Sequence, residues 1–189
     1  MIVETIVSTN DSLGQTNLSP IGAIVQPDSW EQFEFRLFHG SQTLGNLLQT
    51  REGVLHLTDD AMLFARAIAD QWDGLPPMQR SDCVAPQRLV NVPVAHEFRV
   101  ISTEEHGARI FLQCKTIASH HGAAFRGFNR ARYAVVEAAI LISRLGILPH
   151  EEIGSQLEPL WTIVRKTGGP DELAAWKMLA ERFKPEASS

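Results

Sequence analysis

The first half of the chain follows the alternating pattern of apolar and polar residues that is typical of β-strands. Residues 2–9 are rich in β-branched side chains, and residues 10–14 form a polar segment with a glycine that allows positive φ. Residues 17–25 are again strand-like, which predicts a hairpin. In residues 30–38, phenylalanine and leucine recur at every second position, the period of a half-buried strand.

The spacing of apolar residues then changes to that of two short helices with a strand between them. Residues 43–49 and 61–69 have helical spacing, and residues 53–57 have the composition of a strand. We expect Thr58 or Asp59 to cap the second helix, because both residue types accept hydrogen bonds from the free amides of a first turn.

A long irregular segment precedes the last two predicted strands. Residues 73–87 contain three prolines, and a segment of this length is either an ordered functional loop or a mobile one. Strands are predicted at residues 95–101 and 109–117, joined by a polar turn at residues 102–107.

The last third of the chain has the periodicity of helices. Residues 131–145 are rich in Ala, Ile and Leu, and Gly146 after them predicts a C-cap. Apolar residues recur at helical spacing over residues 153–164, where Pro159 is expected to kink or divide the helix. A last helix is predicted from Pro170 onward.

Strands that come first and helices that come last predict an α+β fold. The pattern indicates six short strands in an antiparallel β-barrel, with two inserted helices and a C-terminal helical portion. We expect a barrel domain at residues 1–122, helices packed on it at residues 123–185, and a disordered tail at residues 186–189.

Composition and charge argue against several classes of function. The 189 residues carry 17 Lys and Arg against 22 Asp and Glu, a formal net charge of −5, so no basic field exists for nucleic acid. No apolar stretch approaches the roughly 20 residues that span a bilayer. Without a secretory leader, and with two cysteines that fit neither a metal cluster nor a disulfide framework, the chain is expected to be cytoplasmic.

Two short polar clusters beside the early strands suit an anion. They are residues 17–22 and residues 40–47, and the second contains Ser41 and Thr43 directly before a predicted helix. Hydroxyls and unpaired amides at a helix N-terminus favour a phosphate, and the expected phosphate belongs to a nucleotide-type cofactor. Ser41 has a second interpretation, as the N-cap of that helix.

Other polar residues have two interpretations each. Arg36 either offers a charge-assisted pair to a phosphate or lies exposed on the barrel. Asn129 and Arg130 either bring a second positive group to the cofactor, or Asn129 only caps the following helix. His120 and His121 have no Cys or carboxylate close in sequence, so no metal site is predicted. No spacing predicts a catalytic constellation, so no catalytic residue is predicted.

Several segments taken together resemble a known family. They are Val3-Glu4-Thr5-Ile6-Val7-Ser8-Thr9, Asn17-x-Ser19-Pro20-Ile21-Gly22, Ser41-x-Thr43-x-x-Asn46-Leu47, Leu57-Thr58-Asp59-Asp60, Gly127-Phe128-Asn129-Arg130-Ala131 with Glu137, and Lys166-Thr167-Gly168-Gly169 with Glu172. In order and spacing they are similar to flavin-reductase-like split barrels that bind FMN, and most closely to the uncharacterised family called domain of unknown function four-four-seven. The likeness covers nearly the whole chain.

The resemblance implies a six-stranded split barrel that pairs as a homodimer, with FMN at or near the subunit interface. It implies that the phosphate rests on the second strand and on the loop before the first helix, here Asn17, Ser19, Pro20, Ile21, Gly22, Ser41, Gln42, Thr43 and Asn46. Gly22 is then expected to let a flat ring approach the backbone. Members of the family in some bacteria and archaea are associated with tetrahydromethanopterin-dependent one-carbon metabolism.

The predicted function is therefore that of an FMN-binding flavoprotein. The first prediction is an oxidoreductase of the flavin-reductase-like type with a nicotinamide as reductant, in which the flavin carries the electron chemistry. The alternative is a non-catalytic flavin carrier or sensor, or a protein-interaction module on the same barrel. A related cofactor in place of FMN is a third prediction, and neither a nucleic-acid nor a membrane partner is expected.

Overall fold

The computed structural model describes residues 1–27, 29–72 and 74–184, and the chain forms two compact units. The first, which we call the barrel unit, consists of residues 1–58 and 74–125. The described part of the second, the helical unit, is residues 59–72 and 126–184. The tail at residues 186–189, which was predicted to be disordered, lies outside the described residues.

The barrel unit is built from strands and one helix. In chain order its described elements are β1 (Ile2–Asn10), β2 (Thr16–Gln26), β3 (Ser29–Phe38), α1 (Gln42–Thr50), β4 (Glu52–Leu57), β5 (Met78–Gln79), β6 (Arg88–Leu89), β7 (Val94–His106) and β8 (Arg109–His121). A closed antiparallel barrel forms in the order β1-β2-β3-β8-β7-β4, and β5 pairs with β6. The predicted α+β fold with a six-stranded antiparallel barrel is confirmed.

Aromatic side chains fill the barrel because successive strand residues point to opposite faces. Phe33 and Phe35 on β3 are two positions apart and almost fully buried. Their rings lie 5.1 Å from each other and 5.3 and 5.6 Å from the ring of Phe98, in edge-to-face contacts. An added Cβ at Gly53 would lie 2.5 Å from the Phe98 ring, so the core requires glycine at that position.

Strands β2 and β3 close the barrel by pairing over only a short part of β2. In the described register, β1 pairs with residues 16–24 of β2, whereas β3 pairs only with residues 24–26. Residues 16–23 therefore have a strand partner on one side only. Helix α1 contributes Leu44 and Leu47 to the barrel core, so one face of the helix is held against the barrel.

The described part of the long irregular segment, residues 74–87, is bonded to the barrel strands. It includes β5, which the sequence pattern did not predict. The Ser8 hydroxyl donates to the Gln87 carbonyl at 2.6 Å. His56 accepts from the Leu89 amide at 3.0 Å through Nε2, and its Nδ1 lies 2.9 Å from the Ile6 carbonyl oxygen. These bonds tie the segment and the residues that follow it to β1 and β4.

One predicted turn is wrong because it is part of a strand. Residues 102–107 are polar, but β7 continues to His106 and pairs there with Arg109 of β8. The side chains of residues 101–106 are all exposed, so polar residues are compatible with the strand. The chain reverses at Gly107, whose φ is 59°.

The helical unit consists, in its described part, of α2 (Ala61–Ala69), α3 (Arg130–Ile142), α4 (His150–Thr167) and α5 (Pro170–Phe183). Helix α2 lies between barrel strands in sequence and yet belongs to this unit. Its N-cap is Asp60 and not the predicted Thr58 or Asp59, since the Asp60 carboxylate accepts from the Met62 amide at 3.0 Å. None of the described helices is long and apolar enough to cross a membrane.

The predicted end of one helix and the predicted division of another are wrong. Helix α3 ends at Ile142, before Gly146, because the amides of Arg144 and Leu145 bond to carbonyls three residues back instead of four. Pro159 does not divide the segment into two elements but lies inside helix α4. Both Pro159 and Ser155, whose carbonyl lies one turn earlier, are exposed, so water can satisfy the group that the missing amide leaves.

Candidate functional site

The N-terminus of α1 is the first part of the candidate anion site. Gly40 has a φ of 80°, which turns the chain after β3, and Ser41 follows as the N-cap. The Ser41 hydroxyl oxygen accepts from the Leu44 amide at 3.3 Å. The amides of Gln42 and Thr43 have no acceptor within the helix, so a ligand can receive their hydrogen bonds. The helix dipole adds partial positive charge at the same end.

Three of the predicted side chains meet beside this N-terminus. Asn17 and Ser19 are two positions apart on β2 and therefore point to the same face of the strand. The Nδ2 atom of Asn17 donates to Ser19 Oγ and to Thr43 Oγ1, in both cases at 3.0 Å. The Thr43 hydroxyl donates to Ser19 Oγ at 2.8 Å and closes a ring of hydrogen bonds. We call these three residues the hydroxyl triangle.

The hydroxyl triangle keeps one hydrogen for a further acceptor. The two hydrogens on Asn17 Nδ2 and the hydroxyl hydrogen of Thr43 are used inside the triangle. The Ser19 oxygen accepts both bonds that reach it, and its own hydrogen remains for an acceptor outside the triangle. Thr43 is buried whereas Asn17 and Ser19 are half-buried, so the triangle lies where the protein surface meets the core.

Asn46, one turn further along α1, faces a different strand. Its Nδ2 donates to Thr9 Oγ1 on β1 at 3.0 Å, and both residues are buried. The sequence predicted Asn46 as part of the phosphate site. Thr9 was among the residues that resemble the family, but it was not predicted as a site residue.

The next residues on β2, Pro20 to Gly22, mainly pack within the barrel. Pro20 lies in the part of β2 without a β3 partner, where the amide that proline lacks is not needed by a second strand. The side chain of Ile21 is part of the barrel core, so only its backbone can meet a ligand. At Gly22 an added Cβ would lie 3.0 Å from Cγ2 of Ile2, so the space beside this glycine is filled by a neighbouring strand.

Arg36 has partners on the barrel surface. Its Nε lies 2.5 Å from Oε1 of Glu34, and its guanidinium carbon lies 4.5 Å from the centroid of the Phe111 ring. The Arg36 side chain is 45% exposed. These contacts agree with the interpretation of Arg36 as an exposed arginine on the barrel. A role for Arg36 in phosphate binding stays a prediction.

Asn129 and Arg130 belong to the helical unit. The Oδ1 atom of Asn129 accepts from the amides of Ala131 and Arg132 at 2.8 and 3.1 Å, and its Nδ2 donates to the Thr167 carbonyl at 3.3 Å. Asn129 is thus the N-cap of α3, which was the second of its two predicted roles. Arg130 is exposed. A role for either residue in cofactor binding stays a prediction.

A buried carboxylate that sequence reasoning missed holds the irregular segment against β7. Glu97 is fully buried and accepts from the amides of Asp82 and Cys83 at 2.8 and 2.6 Å. The Nε2 atom of His120 lies 2.7 Å from the same carboxylate. Burial alone would raise the pKa of Glu97, but the amide bonds and His120 outweigh burial, and the pKa is lowered. Glu97 is therefore an anion at neutral pH.

Asp82, Glu97 and His120 are also close enough together to be considered as metal ligands. The imidazole of His120 stands between the two carboxylates, since its Nε2 lies 2.7 Å from Glu97 and its Nδ1 lies 4.0 Å from Asp82. A metal ion needs ligands that converge on one point, and the two ring nitrogens of one imidazole point apart. This arrangement therefore favours a hydrogen-bonded imidazole over a metal ligand.

Two family models match the chain. The model described as Protein of unknown function (DUF447) N-terminal domain matches residues 3–123, and the model described as Protein of unknown function (DUF447) matches residues 129–181. No curated protein matches the chain significantly.

Solved structures have similar folds. The FMN-bound protein MM1853 from Methanosarcina mazei, described with the same family model, is 23% identical, with a TM-score of 0.82 over 96% of this chain and 94% of that one. The styrene monooxygenase flavin reductase from Pseudomonas putida S12 is 12% identical, with a TM-score of 0.51 over 62% and 77%. A Shewanella frigidimarina protein with a split barrel domain is 11% identical, with a TM-score of 0.52 over 65% and 67%. The predicted split-barrel fold is confirmed.

Proposed function

The chain belongs to the DUF447 family of proteins of unknown function, and from this premise we propose that it binds FMN, with the phosphate at the N-terminus of α1. The observation that carries the proposal is the hydroxyl triangle beside the free amides of that helix. The protein from Methanosarcina mazei, described with the same family model, is FMN-bound, which supports the choice of cofactor.

The residues at this place fit a phosphate monoester. The Ser19 hydroxyl and the amides of Gln42 and Thr43 are donors, and an anion accepts from donors only. The Thr43 hydroxyl joins them if it exchanges its bond to Ser19 for one to the ligand. The positive end of the helix dipole adds an electrostatic contribution without a basic side chain.

The parts of the site have separate tasks in this proposal. The N-terminus of α1 and the hydroxyl triangle hold the phosphate, and residues 16–23 of β2, whose described pairing is with β1 alone, offer backbone groups to the rest of the flavin. The flavin supplies the hydride or electron chemistry when it is bound. The protein then contributes orientation and exclusion of water, which is consistent with the lack of a predicted catalytic constellation.

Binding of FMN through Thr43 is tested with a matched pair of variants. Thr43→Ala is expected to weaken FMN binding by about tenfold to hundredfold, because hydrogen bonds to charged groups are among the stronger ones. Thr50→Ala, the control, removes a hydroxyl from the other end of α1, where it donates to the Asn46 carbonyl at 2.9 Å. Fluorescence titration with FMN gives both affinities, and equal affinities for the two variants would contradict the proposed anchor.

Within this proposal the protein is an oxidoreductase of the flavin-reductase-like type. One structural neighbour is a flavin reductase, which supports this choice. We expect the FMN-loaded protein to lose its yellow colour under anaerobic conditions when a reduced nicotinamide is added. A yellow protein that keeps its colour is a carrier or sensor, and a colourless protein that ignores added FMN is an interaction module.

We further propose a cytoplasmic homodimer whose subunit interface lies at or near the flavin, as the resemblance to split barrels implies. Light scattering of the FMN-loaded protein is expected to give twice the mass of the chain, and a flavin-bound monomer would overturn this part. The link to tetrahydromethanopterin-dependent metabolism has no support beyond the resemblance and stays a prediction.

A further inference from the structure

We infer that Thr9 and Asn46 are positioning residues of the flavin site: Asn46 acts by holding α1 on β1 through Thr9, and it does not itself bind the phosphate. This inference rests on the proposed FMN function and assigns Asn46 a different role from the one that the resemblance implies. It also adds Thr9, which lies on a strand that contributes no predicted phosphate ligand.

The contact between the two side chains is enclosed by the protein. Thr9 is fully buried and Asn46 is 5% exposed. The amide nitrogen of Asn46 donates to the Thr9 hydroxyl oxygen at 3.0 Å. Leu44 and Leu47 on the same helix are buried in the barrel core, so this polar bond lies beside an otherwise apolar contact. A buried polar pair of this kind fixes one arrangement, because sliding or rotation of the helix leaves its groups unpaired.

Thr43 and Asn46 are one turn apart on α1 and have different partners. Residues three positions apart lie on neighbouring parts of a helix surface. The Thr43 hydroxyl bonds to Ser19 on β2, whereas the Asn46 amide bonds to Thr9 on β1. Because β1 and β2 are adjacent in the barrel, the two bonds locate the helix against both strands.

In this proposal, FMN binding changes the bond of Thr43 and leaves the bond of Asn46 unchanged. A phosphate that accepts from the Thr43 hydroxyl takes the hydrogen that now goes to Ser19. The bond between Asn46 and Thr9 does not involve that hydrogen, so it can persist in both states. In the bound state, Thr9 and Asn46 then keep the N-terminal amides of α1 in place while Thr43 changes its partner. Loss of this bond weakens FMN binding although no group that touches the phosphate is removed.

A double-mutant cycle separates positioning from direct contact. Thr9→Val and Asn46→Leu each keep the approximate shape of the side chain, and each is expected to weaken FMN binding by about five- to thirtyfold. The double variant is expected to be no weaker than the worse single variant, because both changes remove the same bond. Thr9→Ser restores the hydroxyl and is expected to bind FMN as the wild type does.

The control variant changes a hydrogen bond of β1 that does not involve α1. Ser8→Ala removes another hydrogen bond of β1, from the Ser8 hydroxyl to the Gln87 carbonyl at 2.6 Å, so FMN affinity should stay unchanged. Thr9→Ala replaces Thr9→Val if the latter does not fold. Additive losses in the cycle would mean that Asn46 binds FMN directly, and unchanged affinity with a lower melting temperature would mean a purely structural pair; either result overturns the inference. Failure of the wild type to bind FMN instead refutes the proposed function.

Discussion

At the scale of single residues, Ser41 shows that capping a helix and binding a ligand do not exclude each other. The Ser41 oxygen accepts from the Leu44 amide through a lone pair. The hydroxyl hydrogen is not used by that bond and can point toward an anion. The two interpretations that the sequence left open are therefore compatible.

This compatibility gives a prediction for Ser41→Asp. Aspartate is among the preferred N-cap residues, so the stability of α1 should be retained, whereas Ser41→Ala should cost about 1 kcal/mol. The carboxylate repels a phosphate at the same place, so Ser41→Asp should lose FMN binding almost completely. Urea unfolding and FMN titration of the two variants measure the two effects separately. Retained FMN binding by Ser41→Asp would place the phosphate elsewhere.

Some site residues could be predicted from sequence and others could not, for a physical reason. Ser41 and Thr43 directly precede or begin a helix, and a local pattern indicates such positions. The partners of the buried polar groups come from distant parts of the chain: Asn46 bonds to Thr9, and Glu97 bonds to amides of the irregular segment. Only the charge of Glu97 within a strand of buried residues signalled that a partner was needed.

At the scale of elements, His56 joins three parts of the barrel unit. It stands on β4, with Nδ1 near the Ile6 carbonyl of β1 and Nε2 accepting from the Leu89 amide of β6. This pattern requires a neutral imidazole, because a protonated Nε2 cannot accept. Burial lowers the pKa of His56 from 6.5 to about 4, with a smaller opposing effect from the bond to Ile6.

The lowered pKa of His56 predicts how stability depends on pH. Below pH 6.5 the unfolded chain binds a proton at this histidine, whereas the folded chain stays neutral until about pH 4. The stability that the neutral His56 contributes is therefore fully present above pH 6.5. It decreases as the pH falls toward 4, by about 3 kcal/mol in total. Burial also lowers the pKa of His96 to about 4, so His96 likewise makes the protein less stable as the pH falls toward 4.

The matched variant for this pH dependence is His56→Gln. Glutamine can donate and accept but does not titrate, so the variant should lose less stability than the wild type between pH 6.5 and pH 4. Urea unfolding at a series of pH values measures the difference. Parallel stability curves for the two proteins would show that His56 does not titrate in this range.

The elements themselves were predictable where the pattern is local. The helix at residues 61–69 was predicted with the bounds that it has, because an apolar stripe and acidic residues before it are both local signals. The turn at residues 102–107 was predicted wrongly, because an exposed two-stranded ribbon has no buried face to produce alternation. Pro159 was expected to kink or divide its helix, but it does not divide α4. Its position is exposed, so water can satisfy the carbonyl that the missing amide leaves.

At the scale of the whole molecule, the net charge and the proposed ligand have the same sign. A formal charge of −5 gives no long-range attraction for FMN. The proposed site therefore depends on short-range donors and on one helix dipole, beside the part of β2 whose described pairing is with β1 alone. The fold could be predicted from the sequence because strands precede helices and because several motifs together resemble one family. The division into units could not, since α2 joins the helical unit across intervening barrel strands.

The most direct test of the central claim compares FMN with riboflavin, which differs only by the phosphate. Isothermal titration of the wild-type protein is expected to give an affinity for FMN at least about a hundredfold higher than for riboflavin, because several hydrogen bonds to a charged group are lost with the phosphate. Equal affinities for the two flavins would contradict the claim that α1 and the hydroxyl triangle hold the phosphate.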